Sequence, residues 1–195
     1  MNQRFFALVA LGATLIVACV ASSTTNVMAQ AKKPEAKTAA KPAADAAPTQ
    51  LGTFGNWSVY ASDTAIGRVC YALAQPKERL PANLNRDPAY LFVSTRPKEN
   101  VRDEVSFVLG FAPKDGADGQ ISIGKANYSV SPKAQAQSFV AWLKDNKDNA
   151  TVVDLMKKQP QLSLKLTSKR GNALQDNYAL AGFAQALDQV KKACP

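Results

Sequence analysis

The fold is decided by residues 162–194, which read LSLKLTSKRGNALQDNYALAGFAQALDQVKKAC. Leucines at positions 162, 164 and 166 alternate with polar residues, and this period of two predicts a strand that is buried on one face. Gly171-Asn172 marks a reversal, after which residues 174–180 form a returning strand. Phe183, Leu187, Val190 and Cys194 then follow at helical spacing, so a C-terminal helix is predicted near residues 181–193 with the cysteine on its buried stripe.

The first 29 residues have the pattern of a secretory signal peptide. Arg4 supplies a positive charge, residues 5–18 form a short apolar core, and Val27-Met28-Ala29 offers small residues at the cleavage position. A second interpretation is open, because residues 16–19 loosely match the motif of a lipoprotein that carries its lipid on Cys19. We expect residues 1–29 to be removed on export to the periplasm or beyond the cell, with a lipid anchor on Cys19 as the alternative.

Both interpretations remove Cys19 from the thiol count and leave Cys70 and Cys194. Exported proteins fold in an oxidising compartment, where an even number of cysteines favours disulfide bonding. We therefore predict a Cys70–Cys194 disulfide that ties the last helix to an early strand. Closing a loop of this length stabilises a fold by about 5 kcal/mol in the chain-entropy model.

Residues 30–50 form a segment rich in Ala, Lys and Pro that has almost no large apolar side chain. Such a segment cannot bury enough surface to offset the entropy of ordering it, so a disordered linker is predicted. The folded domain is predicted to span residues 51–195.

Within this domain, alternating and β-prone stretches predict further strands, separated by polar turns and by a loop at residues 75–88. These strands are expected at residues 57–60, 68–73, 90–95, 105–111, 121–125 and 128–130. Residues 114–119 alternate Asp and Gly as calcium loops do, but their spacing does not match an EF-hand. A hairpin turn is predicted there instead.

Local signals conflict between residues 131 and 143. Ser-Pro at 131–132, followed by Lys-Ala-Gln-Ala-Gln, is typical of a helix start, whereas Phe-Val-Ala-Trp-Leu at 139–143 has the composition of a strand. Beyond this stretch, Asn149 is predicted to cap a short helix near residues 149–159 that buries Val152, Leu155 and Met156.

Composition limits the functions that this chain can perform. The sequence contains no histidine, which excludes Ser-His-Asp and Cys-His catalysis and the common imidazole metal sites. The net charge is +9, of which +6 lies in residues 51–195. A moderately basic domain favours anionic partners without identifying one. We expect no cofactor and no metal.

Several segments together resemble the invasion-associated locus B family of exported Gram-negative proteins, over residues 52–194. They are Phe54-Gly55-Asn56-Trp57, residues 69–76 (VCYALAQP), residues 86–97 (RDPAYLFVSTRP) and residues 176–183 (DNYALAGF) with the tail through Cys194. The resemblance implies a mainly β fold, an immunoglobulin-like β-sandwich, located in the periplasm or envelope. It also implies a strand at residues 141–144. This chain departs from many relatives because Tyr60 and Ala61 stand where they carry a cysteine, and because it has no mid-domain cysteine.

The resemblance brings no catalytic residues. The favoured hypothesis is an exported, non-enzymatic envelope protein that binds another protein or an anionic component of the envelope or of a host surface. Peripheral membrane association is compatible with this hypothesis, and no nucleic acid is expected as a partner. The candidate binding surface consists of charged loop residues, namely Arg79, Arg86, Arg96, Lys98 and Arg102.

Two other functional classes compete with binding. One is a structural lipoprotein anchored through Cys19. The other is a hydrolase of envelope polymers that uses paired carboxylates, for which the clustered acids are Asp103, Glu104, Asp115 and Asp118.

Overall fold

Eleven strands and two α-helices make up the described part of the protein, which is residues 47–195 of a computed structural model. The strands are β1 (Thr49–Phe54), β2 (Trp57–Thr64), β3 (Gly67–Ala74), β4 (Glu78–Leu80), β5 (Tyr90–Arg96), β6 (Val101–Val108), β7 (Gly119–Ile123), β8 (Ala126–Gln135), β9 (Ser138–Leu143), β10 (Gln161–Thr167) and β11 (Ala173–Ala179). The helices are α1 (Asp148–Met156) and α2 (Phe183–Ala193). The predicted signal peptide, Cys19 and most of the predicted linker lie outside the described residues.

The strands hydrogen-bond in one antiparallel series, in the order β1-β2-β3-β5-β6-β9-β8-β7-β10-β11-β4. The series folds over itself, so that strands from its two halves face each other. The Phe107 ring on β6 lies 5.9 Å from the Tyr178 ring on β11, and Trp57 Nε1 on β2 donates a hydrogen bond of 3.2 Å to the Ala179 carbonyl on β11. The predicted mainly β, sandwich-like fold is confirmed.

The C-terminal hairpin and helix form as predicted. β10 and β11 pair in register from Gln161 opposite Ala179 to Thr167 opposite Ala173. The helix α2 packs against β2 and β3. Its apolar stripe, which consists of Phe183, Leu187, Val190 and Cys194, is fully buried. Burying one such apolar side chain stabilises a fold by roughly 2 kcal/mol, so this stripe holds the helix on the sheet.

The predicted disulfide is present. Cys70 on β3 and Cys194 after α2 are bonded, with 5.9 Å between their Cα atoms and a separation of 124 positions in the sequence. Both residues are fully buried. The disulfide therefore adds a covalent link between the C-terminal helix and β3, on which the helix also packs through apolar contacts.

Two edge strands lie outside the predicted ones. β1 begins at Thr49, inside the predicted linker, and β4 lies inside the predicted loop 75–88. Both are short or polar and show no hydrophobic alternation, so only their backbone pairing with β2 and β11 defines them as strands. The first strand thus begins two residues before the predicted boundary at 51.

Residues 126–143 form a hairpin of two strands, with Ser131 opposite Trp142. The strand at 139–143 is confirmed, and the helix start at 131 is wrong. β8 is paired with β7 on its other side and β9 with β6. Residues 133–135 pair with β9, which outweighs the local helical preference of this stretch, and residues 136–137 form the turn of the hairpin.

The turn predicted at residues 114–119 exists, but it is not a hairpin. Gly116 has φ +68°, as a tight turn requires. However, β6 pairs with β5 and β9, whereas β7 pairs with β8 and β10. The segment is therefore part of a connection between strands that are not paired with each other, and Asp-Gly chemistry does not distinguish the two kinds of turn.

The short helix is confirmed, but with different ends and without a side-chain cap at its N-terminus. Its buried residues are Val152, Val153 and Met156 rather than the predicted set with Leu155. Asn149 does not cap it: its Oδ1 accepts a hydrogen bond of 2.8 Å from the Val105 N–H, which attaches the helix to β6. No helix in residues 47–195 is long and apolar enough to cross a membrane.

Candidate functional site

Two of the predicted contact residues, Arg79 and Arg86, converge on Asp176. Arg79 stands opposite Asp176 in the β4–β11 pair, and its Nε lies 3.2 and 3.3 Å from the two carboxylate oxygens. Its other nitrogens donate to the carbonyls of Asp87 (2.7 Å) and Leu109 (3.2 Å). Arg86 Nη1 lies 2.8 Å from Asp176 Oδ1, and these two side chains are 5% and 3% exposed. This cluster fastens the edge strand and the following loop to the core.

The other three predicted contact residues are also engaged within the domain. Arg96 forms ion pairs of 3.0 Å with Glu99 and with Glu104. Arg102 donates to the carbonyls of residues 194 and 195 at 3.2 and 3.0 Å. The aliphatic stem of Lys98 lies so close over the glycine at 67 that an added Cβ would be 2.5 Å from Lys98 Cδ. The structure therefore does not gather the five cations into one contact surface.

The four acids considered for a hydrolase each have a basic partner. The ion pairs are Asp103 with Lys191, Glu104 with Arg96, Asp115 with Lys169, and Asp118 with Lys144. The hydrogen bond from Lys144 lowers the pKa of Asp118, whereas a general acid needs a raised pKa. Residues 47–195 contain no group of three side chains placed to hold a metal ion.

An aromatic surface covers the outward side of one layer of the sandwich. In β3 the inward residues Cys70, Ala72 and Ala74 are small and fully buried, while Tyr71 and Leu73 point outward and are half-buried. Cross-strand pairing extends this outward side over β2, β3, β5, β6 and β9. We call it the aromatic face, and it comprises Tyr60, Tyr71, Leu73, Tyr90, Phe92 and Trp142.

Four rings of the aromatic face contact one another in a row. Ring centroids are 5.5 Å apart for Tyr60 and Tyr71, 5.5 Å for Tyr71 and Phe92, and 6.1 Å for Phe92 and Tyr90. Aromatic pairs at such distances contribute about 0.5–1.5 kcal/mol each beyond their buried area. Burial and the neighbouring Tyr60 raise the pKa of Tyr71, so its hydroxyl stays protonated. The rings thus hold each other in place as a preformed surface.

A groove of about 620 Å³ adjoins this row of rings. Rings and hydrogen-bonding groups line it together, including Tyr60, Tyr90, Phe92, Asn56, Ser58, Gln75 and Lys77. The turn that carries Asn56 is held by the segment between β11 and α2, because the Asn56 N–H donates a hydrogen bond of 3.2 Å to the Ala181 carbonyl. Gly55 (φ +58°) permits this approach, since an added Cβ would stand 2.6 Å from the same oxygen.

Sequence reasoning placed the candidate contacts on charged loops and missed the aromatic face. The available signal was β3, where Val69, Tyr71 and Leu73 alternate with Cys70 and two alanines. Both sets are apolar, so alternation alone does not decide which side faces the core. The small set faces inward, on the strand that α2 packs against.

The fold and the aromatic face define a mainly β, sandwich-like protein with an apolar outward surface. The architecture is similar to that of invasion associated protein B from Bartonella henselae, whose crystal structure superimposes with a TM-score of 0.52 at 19% sequence identity. The match covers 74% of this chain and 97% of that protein. At this identity the similarity concerns the fold, which is the one implied by the sequence resemblance. Neither the models of known protein families nor the curated proteins include a match.

Proposed function

We propose that this chain is an exported, non-enzymatic protein of the cell envelope that binds a partner protein through its aromatic face. The observation that carries the proposal is the row of four contacting rings on the outward side of one layer. Protein interfaces are enriched in Tyr, Trp and Phe at their centres, and such side chains dominate the binding free energy. A preformed row of rings loses little conformational entropy on binding, which favours affinity.

The chemistry of the face suits a protein surface in particular. Three tyrosines and one tryptophan combine apolar rings with polar groups that hydrogen-bond at the edge of an interface. The adjoining groove offers amide and hydroxyl groups, and Lys77 adds a positive charge at its side. Together they form an apolar centre with a polar rim, which is the usual arrangement in protein complexes.

Export is supported by the leader pattern of residues 1–29 and by the Cys70–Cys194 disulfide, because structural disulfides persist in oxidising compartments. The proposed location is the periplasm, or the exterior of the cell after secretion. Anchoring through a lipidated Cys19 is the alternative location, and it leaves the proposed binding surface unchanged.

The proposal is tested with the mature chain expressed and cross-linked in its own envelope. Tyr60→Ser combined with Phe92→Ser removes two rings of the row, and Ile66→Ser is the matched control because Ile66 is 64% exposed in the β2–β3 turn, outside the face. We expect one protein to be captured by the wild type and by the control but not by the double variant. With that protein purified, the double variant should raise Kd by roughly 30-fold or more, as expected for hot-spot residues.

Circular dichroism shows whether the double variant is folded at the assay temperature. If the folded double variant captures the same protein as the wild type, the aromatic face is not the binding surface. If the wild type sediments as a dimer that the double substitution dissociates, the face joins two copies of this chain and the proposed partner is wrong.

A further inference from the structure

A cavity of about 370 Å³ lies where three loops of the sandwich meet. One wall is the loop before β5, at residues 84–87, and the second is the segment after β6, at residues 110–112. The third is the β10–β11 turn at residues 168–172, together with Leu174. Backbone hydrogen bonds tie the walls together, from Asp87 N–H to the Gly110 carbonyl (3.0 Å) and from Lys169 N–H to the Ala112 carbonyl (2.9 Å).

The first two walls touch so closely that the site depends on a glycine. Gly110 has φ +65°, and an added Cβ there would stand 2.2 Å from the Asp87 carbonyl oxygen. No other residue type fits that position without moving the loop that carries Arg86. The loops around the cavity are therefore held in a fixed arrangement.

Arg86 brings a buried positive charge to this cavity. Its side chain is 5% exposed, and Asp176 is its one hydrogen-bond partner among the described residues, through Nη1. Because Arg79 binds the same carboxylate, two guanidinium groups share one negative charge. The Nε and Nη2 donors of Arg86 have no acceptor within residues 47–195. These two donors are not fully enclosed, because the Tyr178 hydroxyl is the one fully buried side-chain polar atom without a partner in residues 47–195. An anion in the cavity would accept hydrogen bonds from them.

Two further cations line the cavity from the β10–β11 turn. Arg170 is exposed and forms no ion pair within residues 47–195. Lys169 lies 3.6 Å from Asp115, but both side chains are largely exposed, so this pair is weak. The charged groups in and directly around the cavity are Arg79, Arg86, Lys169 and Arg170 against Asp87, Asp115 and Asp176, which leaves a net charge of +1.

The apolar part of the lining comes from Leu84, Phe111, Ala112 and Leu174, while Asn85, Ser168 and Asn172 add uncharged polar groups. A cavity of this volume lies near the lower end of the range for small-molecule sites, where apolar walls supply affinity and a few polar groups supply specificity. We infer that this cavity, the basic pocket, binds a small organic anion. The anion has one oxyanion head group, a phosphate or a carboxylate, held by Arg86, Lys169 and Arg170, and a short apolar body against Phe111 and Leu174.

The inference is tested by calorimetry on the mature, disulfide-bonded chain with four probes. These are octyl phosphate, octanoate, inorganic phosphate and 1-octanol, each below its aggregation concentration. We expect octyl phosphate and octanoate to bind, and each to bind more tightly than inorganic phosphate or 1-octanol. The stronger of the two identifies the head group.

The decisive variant is Lys169→Gln with Arg170→Gln, which removes two exposed charges and leaves the Arg86–Asp176 contact in place. Its matched control is Lys133→Gln with Lys158→Gln, two exposed lysines that do not line the cavity. The first pair should weaken octyl phosphate binding at least about tenfold and reduce its salt dependence, while the control pair leaves binding unchanged. Leu174→Ala should weaken octyl phosphate but not inorganic phosphate.

Three results would overturn the inference. The first is that neither octyl phosphate nor octanoate binds at millimolar concentration. The second is that 1-octanol binds as tightly as octyl phosphate, since the cations would then have no role. The third is that the Lys169/Arg170 pair and the control Lys133/Lys158 pair weaken octyl phosphate binding equally. That result would mean that the anion is attracted by the net charge of the protein and not bound at a specific site. Because none of these residues belongs to the aromatic face, the outcome is independent of the proposed partner protein.

Discussion

Arg86 Nη1 and Asp176 Oδ1 lie 2.8 Å apart, although the two residues are 90 positions apart in the sequence. The loop before β5 is thereby fixed to a strand near the end of the chain, and the same carboxylate also binds Arg79 on β4. The Asp176 carboxylate therefore stabilises the edge strand β4 through Arg79. Through Arg86 it also positions the loop that forms one wall of the basic pocket.

Asp176→Asn should lower the free energy of unfolding by about 3 kcal/mol, because it leaves two largely buried guanidinium groups without a carboxylate. Urea unfolding followed by circular dichroism measures the change. Asp154→Asn is the matched control: Asp154 is 62% exposed and Lys157 is its one ion-pair partner within residues 47–195, so its loss should cost far less than the loss of Asp176. Equal effects of the two substitutions would show that the buried cluster adds no stability.

The Tyr178 hydroxyl is buried and has no hydrogen-bond partner among the described residues. Tyr178→Phe removes this unsatisfied group and keeps the ring contact with Phe107, so the variant should be more stable by about 1 kcal/mol at pH 7. A decrease in stability at pH 7 would mean that the hydroxyl does form a favourable contact.

The same residue should make stability fall at alkaline pH. Burial, and secondarily the negative charge of Asp176, raise the pKa of Tyr178 above its ordinary value of 10. The folded state therefore keeps the proton, while the unfolded state releases it above pH 10, so the stability that this group contributes is lost as pH rises from there. Tyr178→Phe should make the free energy of unfolding fall less steeply with pH, by up to about 1.4 kcal/mol per pH unit. Urea unfolding of both proteins between pH 9 and 11 measures this dependence. Identical slopes for the two proteins would contradict the assignment.

Replacing Cys70 and Cys194 by alanine should lower the free energy of unfolding by about 3–5 kcal/mol, because the 124-residue loop is then no longer closed in the unfolded chain. The α2 contacts made by Phe183, Leu187 and Val190 remain, so the variant should still form the helix. Thermal unfolding with and without reductant measures the effect. If reductant shifts the wild-type midpoint no more than that of the alanine variant, the bond does not form in the exported protein.

Mass spectrometry of the mature protein tests the predicted export signal. Cleavage after Ala29 places Gln30 at the N-terminus, and this is the expected result. A lipid-modified Cys19 at the N-terminus would identify the lipoprotein alternative, and an intact residue 1 would contradict export by either route.

Sequence patterns predict the parts of this fold in which one face is apolar and the other polar. The alternating leucines of β10 and the helical spacing of Phe183, Leu187 and Val190 are of this kind, and both elements form as predicted. β1 and β4 carry no such pattern, because only their backbone partners define them. Residues 133–137 favour a helix locally, but residues 133–135 form a strand because they pair with β9, and residues 136–137 form the turn.

The candidate sites were less predictable for a related reason. Arg79 and Arg86 look like solvated loop charges until the fold brings them to Asp176, more than 85 residues away in the sequence. In the sequence, Lys169 and Arg170 indicate only a turn. The cavity beside them is not predictable from that stretch, because its other walls come from two loops that are distant in the sequence. The sequence of β3 does not indicate the aromatic face, because residues on both sides of that strand are apolar.

Site-specific photo-cross-linking in the living cell tests whether the aromatic face binds a partner protein. A photoreactive phenylalanine analogue replaces Phe92 on the aromatic face or, as the control, Lys165 at an exposed position on β10. We expect a discrete cross-linked protein from position 92 that is absent from position 165 and disappears when Tyr60→Ser is added. The same products from both positions, or none from position 92, would contradict it.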